Sequence, residues 1–157
     1  MRRTQNGFTL VELVITVAII GLLASIAAPL TETVVRRGKE QELKTALMKM
    51  RDAIDAYKDA GDAARIDRAA GESGYPRSLQ TLVDGVPDKR SPGGAKMYFL
   101  RRIPRDPFAD PALPAAETWG LRSYDSPPDA PRAGKDVFDV YSQTEGKALD
   151  GTSYREW

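Results

Sequence analysis

Apolar residues form two different patterns along the first 60 residues of the chain. Residues 8–30 are a nearly continuous apolar run of 23 residues that contains one charged residue, Glu12. Further along, apolar residues recur at alternating steps of four and three: Leu43, Leu47, Met50, Ile54 and Tyr57. The first pattern predicts a helix that is apolar on all sides, and the second predicts an amphipathic helix. We expect one helix from about residue 9 to about residue 60.

The apolar run has the length of a membrane span. A helix of this length, rising about 1.5 Å per residue, covers roughly the ~30 Å hydrocarbon core. Arg2 and Arg3 precede it, so the positive-inside rule predicts a cytoplasmic N-terminus and places the bulk of the chain across the membrane. An ordinary secretory signal has an apolar stretch of only about 7–15 residues followed by a small-residue cleavage site. A plain single-span anchor would explain the run but not the charge within it.

The charged residue inside the run has two possible roles. Thr9 and Glu12 are spaced as in a Ser/Thr-x-x-Glu capping box, in which each side chain bonds the backbone of the other. Alternatively, a cut between Gly7 and Phe8 would create an amino group four residues before Glu12. In apolar surroundings a carboxylate requires such a partner. The two roles are compatible.

Two residues interrupt the apolar helix. Gly21 lowers helix propensity, and Pro29 lacks the amide hydrogen and crowds the preceding turn. We expect a kink at residues 25–29. On the amphipathic part, residues 31–60, charged side chains occupy the side opposite the apolar stripe: Lys44, Lys49, Arg51, Asp55 and Lys58.

The remaining sequence, residues 61–157, predicts a small α+β region. Residues 78–83 indicate a short helix with Ser78 as its N-cap, and residues 97–103 suit either a strand or an extended arm. The proline-rich residues 104–114 exclude regular structure. Residues 119–124 and 137–142 are the better strand candidates. We predict a small antiparallel sheet packed against the second half of the long helix.

Composition excludes several chemical functions. The 157 residues have a formal net charge of +1 and include neither cysteine nor histidine. Nucleic-acid binding is therefore not indicated, and the usual general base, thiol nucleophile and commonest metal ligand are missing. Acidic residues occur at Asp106, Asp110, Asp136 and Asp139, but their spacing fixes no catalytic pair. We predict that the chain is not an enzyme.

The N-terminal motif resembles a known processing signal. The segment Gly7-Phe8-Thr9-Leu10-Val11-Glu12-Leu13, followed by an apolar helix, is similar to the class III signal of type IV pilins and type II secretion pseudopilins. The resemblance implies that a prepilin peptidase removes residues 1–7, that Phe8 becomes N-methylated, and that Glu12 is needed for assembly. It also implies that the segment between Gly21 and Pro29 loses helicity when subunits assemble.

Later motifs resemble one branch of that superfamily. Gly74-Tyr75-Pro76, then Ile103-Pro104-Arg105-Asp106-Pro107-Phe108, then Asp139-Val140-Tyr141-Ser142 occur in the order found in the major pseudopilin of type II secretion. The resemblance implies a homo-oligomeric filament that starts from a single-pass inner-membrane form and then lies in the periplasm. The implied partners are the prepilin peptidase, the inner-membrane assembly platform and minor pseudopilins. The alternatives are a true or minor type IV pilin, acting in adhesion, motility or DNA uptake, and an anchored periplasmic enzyme or ligand-binding protein, which the missing histidine and cysteine disfavour.

One loop departs from the resembling family. There, the segment after the Tyr-Ser pair contains several aspartates and binds calcium. Here, residues 143–151 offer Glu145 and Asp150, with Lys147 between them. Because calcium requires about six to eight oxygen ligands, we expect a solvated turn and assign no metal or cofactor.

Overall fold

The computed structural model describes residues 7–157, and for residues 26–30 it describes the backbone only. Helix α1 extends over 53 residues, Leu10–Asp62, which confirms the single long helix predicted from the sequence. The chain divides into two compact units, Met1–Gly38 and Lys39–Trp157. The predicted leader, up to residue 6, lies outside the described residues.

The first unit presents apolar side chains to solvent. Leu10, Leu13, Val17, Ile20 and Leu23 are all exposed, as is Phe8 just before the helix. The sequence predicts a membrane span over residues 8–30. Within the part of the chain that is described, no helix reaches both the length and the hydropathy that crossing a membrane requires. The end of that predicted span, residues 26–30, lies outside the residues whose side chains are described.

The second unit has its core on the predicted stripe of α1. Leu43, Met50 and Ile54 are completely buried, Leu47 is nearly so, and Tyr57 packs at the edge. The remainder of the unit contributes the residues that cover this stripe: Leu79, Leu82, Trp119, Val137, Val140, Ala148 and Tyr154. The amphipathic pattern therefore predicted the core-facing side of the helix correctly.

Short elements complete the second unit. They are helix α2 (Leu79–Asp84), strands β1 (Val86–Pro87), β2 (Lys96–Met97), β3 (Trp119–Arg122) and β4 (Asp139–Ser142), and two 3-10 turns, Ala115–Thr118 and Tyr154–Glu156. Strands β1 and β2 form one antiparallel pair and β3 and β4 form another. In the second pair Trp119 lies opposite Ser142 and Leu121 opposite Val140. The α+β class, with antiparallel strands packed on the long helix, is as predicted.

Several local predictions needed correction. Ser78 does precede α2, but its side chain makes no capping bond and instead lies 3.2 Å from the Thr81 hydroxyl. Only the start of residues 97–103 is a strand; the amides of Phe99 and Leu100 then bond the Leu82 carbonyl, so the segment is mainly an arm. The β1–β2 hairpin was not predicted, because two-residue strands leave no alternating pattern to detect.

A glycine makes the α2–β1 junction possible. Gly85 has φ +71°, and a Cβ at this position would lie 2.8 Å from the Met97 carbonyl oxygen. Glycine adopts positive φ without steric cost. The chain can therefore leave α2 and pass close to β2.

We predict that two methionines on α1 differ sharply in their contribution to stability. Met50→Ala should lower the free energy of unfolding by about 2–5 kcal/mol, because Met50 is fully buried and its truncation leaves a cavity. Met48→Ala should change it by less than about 0.5 kcal/mol, because Met48 is 64% exposed. Urea unfolding of the full chain in detergent, followed by the fluorescence of its two tryptophans, measures both. Equal losses would contradict the burial pattern of α1.

Candidate assembly site

The N-terminal motif folds into the reciprocal capping box that the sequence predicts. The backbone amide and the hydroxyl of Thr9 donate to Glu12 Oε2 at 2.9 and 2.8 Å. In return, the Glu12 amide donates to the Thr9 hydroxyl at 3.2 Å. The first turn then closes with the Leu13 amide on the Thr9 carbonyl. Glu12 is therefore held at the head of α1 by Thr9, which satisfies backbone donors that a helix start otherwise leaves open.

Gly7 and Phe8 lie immediately before this capped helix. Both are exposed and neither is helical, and Phe8 is 89% exposed. A Cβ at Gly7 would meet nothing within 4 Å. Exposed, irregular backbone next to a stable element is the kind of site that proteases cleave. The predicted processing site is thus accessible, whereas residues 1–6 lie outside the description.

The backbone is helical at every position from Gly21 to Pro29. Gly21 has open space around it, and the Ser25 hydroxyl donates to the Gly21 carbonyl at 2.9 Å. Such hydroxyl bonds to the preceding turn slightly destabilise and bend helices. The side chain of Pro29 is among those not described, so the predicted kink and loss of helicity remain predictions.

The four acidic residues named from the sequence do not form one site. Asp106 is buried and accepts hydrogen bonds from the Ser142 hydroxyl at 2.5 Å and the Phe108 amide at 2.8 Å. Asp139 pairs with Arg51 at 2.8 Å, and Asp110 accepts from the Ala112 amide. Within the described residues, no three acidic side chains gather as a metal site would require.

Asp136 has a structural environment of its own. It accepts hydrogen bonds from the hydroxyls of Ser73 and Ser123 at 2.5 and 2.8 Å, and from the Tyr124 amide at 2.9 Å. Burial raises the pKa of Asp136, but these three hydrogen bonds together outweigh it and leave the pKa below its usual range. The ionised carboxylate thus ties three loops together.

Three aromatic residues of the second unit, Tyr98, Trp119 and Tyr124, lie in different environments. Trp119 is in the core and donates to the Pro104 carbonyl at 2.8 Å. Tyr98 is exposed. Tyr124 stacks on Tyr75 with ring centroids 5.7 Å apart and borders an open cleft of about 650 Å³. Of these three residues, Trp119 belongs to the core, whereas Tyr98 and Tyr124 lie at the surface.

Sequence patterning missed a group of functional side chains on α1. Arg51 was placed on the solvent side, but it donates to Asp139 and to the carbonyls of Val140 and Trp157. Lys44 and Glu40, about two and three helical turns before it, also contact the C-terminal residues. The spacing of four and seven that puts them on one helix face was visible in the sequence. Their partners were not, because they lie about a hundred residues away.

Comparison with known proteins decides the family. The family model described as the prokaryotic N-terminal methylation motif matches residues 2–28. The type II secretion system core protein G of Pseudomonas aeruginosa is 30% identical over 114 residues, which are 70% of this chain and 72% of that protein. The corresponding protein of Klebsiella michiganensis is 29% identical over 68% of this chain and 70% of its own length. The chain belongs to the type II secretion core protein G family.

Membership of the core protein G family confirms the major pseudopilin resemblance drawn from the motifs. A type IV major fimbrial protein, FimA of Dichelobacter nodosus, is 41% identical, but over 66 residues that cover only 40% of this chain and 42% of FimA. The longer core protein G matches therefore fit better than the pilin alternative. No solved structure matches this chain.

We predict that Asp136 contributes stability that depends on pH. Because its pKa is lower in the folded state, this contribution is complete above the ordinary Asp pKa of about 4 and disappears as the pH falls through the folded pKa. Asp136→Asn should cost about 1–3 kcal/mol at neutral pH and should flatten the acid limb of the stability curve. Urea unfolding at several pH values measures both effects.

The exposed Asp129 provides the control for this experiment. Asp129→Asn should leave both the neutral stability and the acid limb unchanged. If Asp136→Asn kept the acid limb of the wild type, the three hydrogen bonds would not set the ionisation of Asp136.

Proposed function

We propose that this chain is a structural subunit of the pseudopilus of a type II secretion system, and that it assembles through the first part of α1 to help drive protein export across the outer membrane. The observation that supports this most is an exposed apolar helix surface with a fixed carboxylate at its head. The core protein G relatives match over about 70% of both chains and favour the same role. Such a surface requires a lipid or protein partner.

Maturation is the first step of the proposed function. A prepilin peptidase cuts after Gly7, and Phe8 becomes the methylated N-terminus. The exposed, non-helical backbone at both residues supports this step, as does the match to the N-terminal methylation motif. The precursor is anchored in the inner membrane with its N-terminus in the cytoplasm and Lys39–Trp157 in the periplasm.

Assembly follows through a charge pair at the head of the helix. Cleavage gives Phe8 a positive amine, and Glu12 of the same or a neighbouring copy supplies the negative charge. Thr9 bonds to Oε2 of Glu12, and a carboxylate can accept up to about four hydrogen bonds. The capped carboxylate can therefore also receive the amine. Away from water, each charge stabilises the other.

Partial unwinding of α1 accompanies assembly in this proposal. The glycine at position 21, the Ser25 hydroxyl on its carbonyl, and Pro29, which cannot donate to the preceding turn, all fall within one short stretch. That stretch would lose helicity as neighbouring copies pack. A filament map that showed unbroken helix from Gly21 to Pro29 would remove this step.

The proposed partners are other copies of the chain, the peptidase, the inner-membrane assembly platform and minor pseudopilins. The second candidate function is that of a type IV pilin, favoured by the FimA similarity. Deletion of the gene separates the two. A pseudopilin deletion blocks export of secreted proteins and leaves surface pili intact, whereas a pilin deletion removes the pili.

We predict that two substitutions separate the capping role of Glu12 from its charge role. Glu12→Gln keeps a side chain that can complete the capping box but removes the charge. It should lower filament yield at least about tenfold, because leaving one partner of a desolvated ion pair unpaired costs about 3–5 kcal/mol. Filaments sheared from cells and quantified by immunoblot measure the yield.

Thr9→Ala is the matched variant for this test. It keeps the charge of Glu12 and removes the hydroxyl of the box, which costs only about 1 kcal/mol of helix stability. Its filament yield should stay within a few-fold of wild type, and both variants should still lose the leader. If Thr9→Ala abolished filaments while Glu12→Gln kept them, capping rather than charge would control assembly.

A further inference from the structure

The C-terminal segment, defined here as residues 143–157, is fastened to one face of α1. Three charged residues of α1 contact it, namely Glu40, Lys44 and Arg51. They are spaced by four and seven residues, so they share one side of the helix. All of them lie within the second unit, Lys39–Trp157.

Glu40 bonds the segment at two points. Its Oε1 accepts the Leu149 amide at 2.9 Å and the Tyr154 hydroxyl at 2.9 Å. Tyr154 is buried in the core and stacks on Phe108, with ring centroids 4.6 Å apart. A single carboxylate thereby joins the turn at Leu149 to the core at Tyr154. Hydrogen bonds to an ionised acceptor are stronger than neutral ones.

Lys44 and Arg51 hold the other end of the segment. Arg51 Nη2 donates to the Trp157 carbonyl at 2.7 Å, and Lys44 Nζ lies 4.1 Å from the centroid of the Trp157 ring. That distance is within the range of a cation–π contact. The indole nitrogen of Trp157 in turn donates to the Thr152 hydroxyl at 2.7 Å.

Asp150 inside the segment and Asp106 beside it are occupied by protein donors, whereas Glu145 and Glu156 are exposed. Asp150 Oδ1 accepts the amide and the hydroxyl of Thr152 at 3.0 and 2.6 Å. These bonds hold the pKa of Asp150 below its usual range, and the nearby Lys44 ammonium acts in the same direction. Asp106, beside the start of the segment, accepts Ser142 and Phe108.

These residues do not fit a calcium ion of the kind that the resembling family holds in this loop. Calcium needs about six to eight oxygen ligands, several of them carboxylates. Here Glu40, Asp106 and Asp150 each bond protein hydrogens, and Lys44 brings positive charge to Asp150. The backbone of Lys147 pairs with that of Ser153 in an isolated antiparallel β-bridge. The side chain of Lys147 adds a positive charge within the segment itself. No acidic triad exists among the residues described.

We propose that Glu40, Lys44 and Arg51 of α1 hold the C-terminal segment in place of a calcium ion, so that this chain folds independently of calcium. A calcium ion in this loop would join the turn to the rest of the domain and neutralise acidic side chains. In this chain, side chains of α1 perform both roles. The proposal rests on the family assignment and on contacts within the second unit. It does not depend on whether filaments form.

Thermal unfolding of the full chain in detergent tests the proposal. The wild type should unfold at the same temperature, within about 1 °C, in EGTA and in calcium at about 5 mM, because a ligand that does not bind cannot raise Tm. That concentration exceeds the Kd of roughly 10⁻⁴–10⁻³ M typical of extracellular calcium sites. A rise of several degrees with calcium would overturn the proposal.

A second readout uses terbium as a luminescent substitute for calcium. Trp157 lies in the segment, so terbium bound there should emit when tryptophan is excited. We expect no saturable emission that calcium can displace. Such emission would overturn the proposal even if Tm did not move.

Substitutions test whether Glu40 holds the C-terminal segment. Glu40→Ala should lower Tm by about 5 °C or more, by the same amount in EGTA and in calcium, because two hydrogen-bond donors lose their acceptor. The control is Glu42→Ala, an exposed residue of the same helix, which should leave Tm unchanged. If Glu40→Ala behaved like Glu42→Ala, Glu40 would not hold the segment. If calcium restored the Tm of Glu40→Ala, the segment would retain a metal site.

Discussion

Apolar surface in contact with water is the constraint on which the rest of this account depends. The first part of α1 exposes side chains such as Leu13, Val17 and Ile20, and burial of an aliphatic side chain is worth about 1.5–3 kcal/mol. The same helix buries Leu43, Met50 and Ile54 completely in the second unit. One helix thus has a part that its own chain covers and a part that needs a partner. In the proposed function, lipid satisfies that need before assembly and sister helices satisfy it afterwards.

In the proposed assembly, the charge of Glu12 determines how that apolar surface is used. Burying an unpaired carboxylate at the head of the helix costs free energy. Thr9 donates hydrogen bonds to Glu12 but leaves its negative charge uncompensated. Proteolysis can provide the missing cation without any new residue. Further along α1, Glu40 and Arg51 are charged as well, but their hydrogen-bond partners are already present in the folded unit. In the proposed assembly, the helix thus organises both the filament contact and the fold of the second unit through charged groups at fixed spacing.

Local patterns in the sequence were sufficient to predict the long helix, its apolar core-facing stripe, the capping box and the family motifs. Each of these depends on residues that are close together in the sequence. The strands β3 and β4 were located but predicted too long, since flanking residues share their apolar character. The β1–β2 hairpin was missed because its strands are too short to show alternation. The hydrogen bonds of Glu40 with the Leu149 amide and the Tyr154 hydroxyl were also not predicted. They join residues more than a hundred positions apart, and no local spacing encodes these contacts.

The central claim is that a carboxylate at the head of an apolar helix finds its counter-charge in an amine released by proteolysis. Mass spectrometry of the native polypeptide, isolated from the envelope of the producing cell, tests it most directly. The account predicts a chain that begins at Phe8, with one methyl group on the new amine and Glu12 unmodified four residues later. A native chain that still begins at Met1 would contradict the account.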